Sequence, residues 1–405
     1  MVTESVFNED LFSSEAIDDP YSYFGYLRDV DPVHWNPDAE IWMVTSHAGV
    51  AEVTRNSDRF SSEMKNDPRP AFPRVDSPDP MVDKVVVVEP GLMTVDRPRH
   101  TEMRKAVQGF LTPRAVERWR EGVRELVEGL LDARAGQSEM EFKEEIAAVV
   151  PRTFLFRLLD VPLADLDELF EITMGAHNGS LDPMRMYQIP AARQRIAEYY
   201  RPIVEHRSAN PGDDLISMLV QGEQQGAFTR DEVYENIELF MLAGFGTTKR
   251  LLSNGMIAFC RHPEQWALLH GDPEGMVVSA VEECLRFDPA VKAFYRLAAV
   301  DTELGGKSLA AGERLLCVPA SANRDPEVFD RPEEFDISRF PNQHVSFGGG
   351  VHHCLGAPLA RMMAQETLKV LARRISQVRL TDEISYARNY LGHDPVSVPL
   401  AWTWA

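Results

Sequence analysis

Residues 229–261 constrain this chain more than any other stretch, because an unbroken helical pattern there becomes apolar nearly all round past Leu239. A helix without a polar face cannot lie on a surface, so it must run through the middle of the molecule with other elements packed around it. The rest of the sequence supplies those elements. From Arg99 to about Ile375 helical patterns dominate, with amphipathic stretches at 113–135, 141–159, 191–208, 213–221 and 273–287. Residues 32–46 read as a hairpin turning at Asn36-Pro37-Asp38, and strand signals return at 294–300, 313–318 and 380–405. The expected fold is mainly α with a small β lobe drawn from 32–60, 293–320 and 380–405. Residues 66–91, rich in Pro and Asp, read as a long irregular loop, and loops of that length in compact domains are usually functional.

The length of 405 residues is ample to enclose a large prosthetic group, with 44% hydrophobic and 26% charged residues as expected of a globular enzyme. Forty-two Lys and Arg face 63 Asp and Glu, and a net charge of −21 argues against a general nucleic-acid or anionic-membrane surface. The polar, acidic start has no basic and apolar segments of a secretory signal. The apolar run at 146–159 is cut by Pro151, Arg152 and Arg157, short of the roughly 18 residues that span a bilayer. A cytoplasmic protein without membrane attachment is expected, as a monomer.

Four cysteines, Cys260, Cys284, Cys317 and Cys354, stand far apart without CxxC spacing, so a disulfide framework or structural zinc site is not expected. The first three have the settings of buried small hydrophobes. Cys354 sits instead in Phe347-Gly348-Gly349-Gly350-Val351-His352-His353-Cys354-Leu355-Gly356, followed by a predicted helix at Ala357-Pro358-Leu359-Ala360-Arg361. A cysteine at a helix N-terminus has its thiolate favoured by the dipole and by unpaired N–H groups. A phosphate cradle would need a Gly-Lys-Ser/Thr ending that is missing. A Cys-His nucleophile would need an orienting third group and an oxyanion hole, neither of which can be picked out. The loop's residues alone leave the nucleophile open beside a third reading, a thiolate ligand for haem iron.

The spacing of Phe347, Gly350, Cys354 and Gly356 resembles the ligand signature of the cytochrome P-450 family, and further matches follow in order along almost the whole chain. Glu283-Cys284-Leu285-Arg286 resembles the family's Glu-x-x-Arg helix, a spacing that puts both side chains on one face. Residues 322–326 and 335–340 resemble the meander whose Arg339 completes that ion-pair network. The resemblance implies a single haem-thiolate catalytic domain over 1–405, with haem b (iron protoporphyrin IX) between the long central helix and the Cys loop. It implies Cys354 as iron ligand, Phe347, Gly348, Gly350 and Gly356 as the loop around it, and His100, Arg104, Arg296 and His352 as propionate contacts. Buried propionates need charge-assisted partners.

The family's central helix carries an Ala/Gly-Gly-x-acid-Thr-Thr run that kinks open beside the iron; here it reads Ala243-Gly244-Phe245-Gly246-Thr247-Thr248-Lys249-Arg250. Ala243 and Gly244 fit the kink and Thr247 falls on the oxygen-binding alcohol, but Gly246 stands where Asp or Glu is usual. Arg250 lies a turn beyond on nearly the same face. Two readings of Arg250 remain: a solvated residue facing outward, or a group that organises waters or pairs with an acid and stands in for the missing relay.

The resemblance places Leu239, Leu242, Lys292, Phe294 and Val396 over the substrate, a mostly apolar set apart from Lys292, which suits a small lipophilic molecule. Residues 174–190 fall where the family has a flexible lid. Arg97, Arg99, Arg104, Lys105, Arg114, Arg118 and Arg120, with Arg361, form a basic island on an acidic chain. Such an island would dock an acidic ferredoxin supplied by an NAD(P)H-dependent ferredoxin reductase. The expected activity is monooxygenation with O2; a peroxide-driven peroxygenase and a non-catalytic haem sensor or carrier are the alternatives.

Overall fold

The structure, a computed structural model, describes residues 19–63, 91–165, 169, 189–387 and 391–405. Most of the loop expected at 66–91 and nearly all of the lid region at 174–190 therefore lie outside the described residues. The longer helices are α1 (Pro20–Val30), α2 (His47–Arg55), α3 (Arg99–Val107), α4 (Arg120–Asp132), α5 (Val149–Leu158), α6 (Ile189–Ala209), α7 (Leu215–Gln224), α8 (Arg230–Arg261), α9 (Pro263–Gly271), α10 (Pro273–Phe287) and α11 (Ala357–Arg374). Local chemistry sets several of their starts. Proline stands at the first position of α1 and α10, and the preceding Asp19 and Asp272 accept the N–H groups of Ser22 and Gly275. Asp214 does the same for α7 through Ser217.

Two expected helices are broken. The pattern at 113–135 is interrupted by a 3₁₀ turn at Glu117–Trp119 before α4. That at 141–159 opens as the short strand β4 (Glu139–Glu141) and a π turn at Lys143–Ala147 before α5. Periodicity alone does not register such one-residue slips in the turn.

The chain divides into two compact units. The first holds residues up to Phe60, 117–151 and 247–405. Its five-stranded sheet runs in the order β1 (Val33–Asn36), β2 (Ile41–Val44), β8 (Arg314–Cys317), β5 (Phe294–Ala298), β3 (Phe60–Ser61). The expected hairpin is the antiparallel β1–β2 pair, and β2 then pairs in parallel with β8, Ile41 opposite Arg314. The C-terminal strand does not join this sheet. Instead β10 (Pro399–Trp404) pairs with β4 on one side and β9 (Ile375–Leu380) on the other, so the chain ends form two separate β layers rather than one lobe. Strand β4 is only three residues long and ends where the helical pattern begins at Glu141, which is why the pairing is invisible in the sequence.

The second unit holds 61–116 and 152–246. In it Gly244 of α8 faces Leu155 of α5, where a Cβ would come within 2.6 Å of Leu155 Cδ2. The helix assignment is continuous through 243–248, and Gly244 admits this close approach of Leu155.

Beneath the first unit's loops lies a buried ionic hub. Glu283 and Arg286 of α10 are both 0% exposed and joined by two hydrogen bonds of 2.8 Å. Arg286 also donates to the carbonyls of Asn323, Pro332 and Glu334, while Glu283 accepts from Arg339 Nε, Asn342 Nδ2 and the Asp336 N–H. Breaking a buried pair by removing one partner leaves an uncompensated charge. Arg286→Leu is expected to cost about 3–5 kcal/mol, read as a drop in the midpoint of denaturant unfolding; a change below about 1 kcal/mol would contradict the hub's role.

Candidate haem-thiolate site

The loop around Cys354 is shaped by glycines that no other residue replaces. Gly348 and Gly350 have φ of +65° and +61°, and a Cβ on Gly350 would lie 2.2 Å from the Thr54 carbonyl oxygen at the end of α2. The loop is thus pressed backbone to backbone onto α2. Its ends are tied by the Cys354 N–H, which donates to the Phe347 carbonyl at 2.9 Å, and by the Gly348 N–H, which donates to Val345. Gly356 is the residue before α11, so Cys354 stands three positions ahead of that helix's first residue, Ala357.

Cys354 is the exposed cysteine. Cys284 and Cys317 are buried and Cys260 mostly so, and burial pushes the thiols of Cys260 and Cys317 up to about 12 and that of Cys284 higher still. The Cys354 sulfur is thus the one open to a ligand, and a soft thiolate donor there fits a haem iron.

The same unit carries the other loop-side candidates. Arg296 lies on β5 opposite Leu315, donates to the Tyr295 carbonyl at 2.7 Å and has its guanidinium 4.9 Å from the Phe294 ring centroid. Phe294 and Val345, at the base of the loop, pack against one buried cluster that includes Cys317, Leu315 and Val53. His352 closes the 3₁₀ turn Gly350–His352. Lys292 is 1% exposed, with its N–H bonded to the Leu391 carbonyl and its own carbonyl accepting from Ala320. Val396 is 54% exposed; its carbonyl accepts from Lys143 Nζ at 3.0 Å. Thr247 is partly buried and Thr248 fully so.

Arg250 faces inward, not to solvent. It is 7% exposed, its Nε lies 3.6 Å from Asp394 Oδ2, and its Nη1 donates to the Ala290 carbonyl at 3.4 Å. Asp394 Oδ1 is also 3.9 Å from Lys143 Nζ. Burial lowers the Lys249 ammonium below its ordinary range, a shift that Asp394 opposes. A carboxylate from the C-terminal turn thus meets the cations that follow Thr247. No spacing rule connects residues 394 and 250, so this pairing is not legible before the chain is folded.

In the second unit, His100 is buried on α3 and Arg104 partly buried one turn later. The start of α3 is fixed by Asp96, whose carboxylate accepts from the Ser62 N–H and whose carbonyl accepts from the His100 N–H. Along α8, Gly246 is buried, Leu239 and Leu242 are partly buried and Ala243 is exposed. Leu239 lies 3.7 Å from the position of a Cβ on Gly91.

Three members of the basic island are compensated by acids. Arg99 pairs with Glu232 and Glu102, Arg120 with Glu117 and Glu366, and Arg361 with Glu282. Arg118 lies over the Trp119 ring at 4.3 Å.

Residues 276–376 match the family model described as Cytochrome P450. A steroid C26-monooxygenase of Mycolicibacterium smegmatis is 34% identical over 377 residues, covering 89% of this chain and 85% of that protein. The P450 monooxygenase PikC of Streptomyces venezuelae is 32% identical over 395 residues, covering 95% of this chain and 91% of its own length. Among solved structures, CalO2 superposes with a TM-score of 0.87 at 27% identity, covering 97% of this chain and 98% of its own. Similarity over nearly the full length of both partners, together with the thiolate loop and the ion-pair hub, places the chain in the cytochrome P450 family of haem b oxidoreductases, among the monooxygenases.

Proposed function

We propose that this P450 inserts one oxygen atom from O2 into a small, largely apolar molecule, with electrons delivered by a ferredoxin and its NAD(P)H-dependent reductase. The observation that carries the reading is the exposed Cys354, held by a loop that positive-φ glycines press onto α2. When bound, haem with a thiolate ligand supplies electron density that favours O–O cleavage. Cys354 would be that ligand, its charge favoured by the N-terminal end of α11. Arg296, His352, His100 and Arg104 are the residues that would hold the propionates, which need charge-assisted partners.

Thr247 would hold a proton toward the oxygen side, with the small Ala243 one turn before it. Gly246 offers no acid, and in this reading the Arg250–Asp394 pair orders water in place of the customary carboxylate. Leu239, Leu242, Phe294 and Val396 are the apolar candidates for substrate contact and Lys292 the charged one, and the steroid acted on by the M. smegmatis relative supports a lipophilic substrate. No helix among the described residues is long and apolar enough to cross a membrane, consistent with a cytoplasmic enzyme meeting a diffusing donor. The buried Gly246 favours a second reading, peroxide-driven oxygenation, in which no proton relay is needed; a non-catalytic haem carrier is the remaining alternative.

Ferredoxin-supported NAD(P)H consumption with stoichiometric oxidised product is expected, and product formed only from added peroxide would favour the second reading. The reduced protein with carbon monoxide is expected to show the thiolate-type absorption band, which Cys354→Ser removes. Gly246→Asp is expected to raise the fraction of NAD(P)H appearing in product. Unchanged coupling and turnover in that variant would mean that the missing acid does not limit proton delivery. Raising ionic strength from about 0.01 to 0.15 M shortens the Debye length from about 30 to 8 Å. Electron transfer from an acidic ferredoxin should then slow by about tenfold, whereas a flat response would remove the basic residues of 97–120 from docking.

A further inference from the structure

Behind the thiolate loop lies a second carboxylate that the hub does not use. Glu282 precedes Glu283 on α10 and points to the other side, where it takes Arg361 Nε at 2.7 Å and Nη2 at 2.8 Å, and His344 Nε2 at 3.1 Å. Burial alone would raise its pKa, but the hydrogen bonds from Arg361 and His344 outweigh burial and bring it down to about 2. The bidentate fork fixes the plane of Arg361, whose guanidinium carbon lies 4.5 Å from the centre of the Phe347 ring. Phe347 in turn accepts the Cys354 N–H. The same segment is anchored from its other end: Ser346 Oγ donates to the Leu285 carbonyl at 2.6 Å, and the His344 ring lies 6.1 Å from that of Phe347.

The chain of contacts is therefore Glu282, Arg361, Phe347, Cys354, each link a measured contact within the first unit. A guanidinium over an aromatic face is attracted by the ring quadrupole, and its charge is cancelled here by the carboxylate on its far side. We infer that Glu282 is a positioning residue for the thiolate ligand: by holding and neutralising Arg361 on the Phe347 ring, it sets both the geometry of the Phe347–Cys354 hydrogen bond and the net charge beside the sulfur. The inference rests on Cys354 being the iron ligand. Partners beyond the ligand shell commonly tune a metal's potential and solvent access in this way.

The charge logic has opposite signs for the two partners. Reduction of the iron adds an electron, so an uncompensated cation nearby favours the reduced state and an uncompensated anion opposes it. Glu282→Gln leaves Arg361 uncancelled, and redox titration of the haem-loaded protein is expected to show the reduced form favoured by about tenfold, ~59 mV for one electron. Arg361→Gln leaves the Glu282 carboxylate uncancelled and is expected to shift the potential the other way, with the double variant returning toward the parent. Glu282→Asp keeps the charge and is expected to retain the parent potential, which also covers the case in which Glu282→Gln does not take up haem.

Both single variants should convert the carbon monoxide complex from the thiolate to the thiol form about tenfold faster than the parent. Shifts of the same sign in the two single variants, or no shift in either, would overturn the inference, since mere loosening of the loop has no sign that depends on which charge is removed. A parent protein lacking the thiolate-type complex would overturn the Cys354 assignment, and this inference with it.

Discussion

The buried Glu283–Arg286 pair is the interaction on which the rest of the thiolate side depends. Two fully buried charges are stable only when every lone pair and proton finds a partner, and here the partners are drawn from residues 323–342. Arg286 binds the carbonyls of Asn323, Pro332 and Glu334, and Glu283 takes Arg339, Asn342 and the Asp336 amide. A coil without regular hydrogen bonding from 323 to 342 is thereby held as firmly as an element of secondary structure. Asn323 extends the chain of order by receiving the Val345 N–H and binding Ser346 Oγ, at the base of the Cys354 loop. The ionic hub and the ligand loop are one continuous polar scaffold.

On that scaffold the loop itself is fixed by exclusion. Gly350 sits so close to Thr54 that only the absence of a side chain permits the approach, and its positive φ would strain any other residue. Backbone contact of this kind gives a rigidity that side-chain packing does not, because there is no rotamer through which to relax. Glu282 and Arg361 add an electrostatic layer behind Phe347, so the cysteine is approached by hydrogen-bonding, steric and charged constraints from different directions.

The central helix shows a different economy. Its family motif lacks an acid at Gly246, and the positive charge that follows is met by Asp394 from the C-terminal turn. Arg250 is buried, and a side chain on Gly392 would come 3.0 Å from its guanidinium carbon. The acid that meets Arg250 thus comes from the C-terminal segment and not from α8 itself.

The sequence by itself determined the elements whose causes are local. The apolar sweep past Leu239 foretold the long central helix, Asn36-Pro37-Asp38 the hairpin, and Phe347 to Gly356 the exposed cysteine loop, because each depends on periodicity, turn chemistry or spacing within a short window. The Glu283–Arg286 pairing was legible for the same reason, three residues apart on one helix. What the tertiary structure decided are the relations between distant segments: β10 pairing with β4 and β9 rather than with the first sheet, Asp394 meeting Arg250, and Glu282 turning from its neighbour Glu283 toward Arg361. Adjacent glutamates on a helix point about 100° apart, and which neighbour each one meets is set by the packing of other elements against that helix. Charge pairing and strand pairing across a chain of this length are choices among many similar partners, and only the folded arrangement brings one of them within reach.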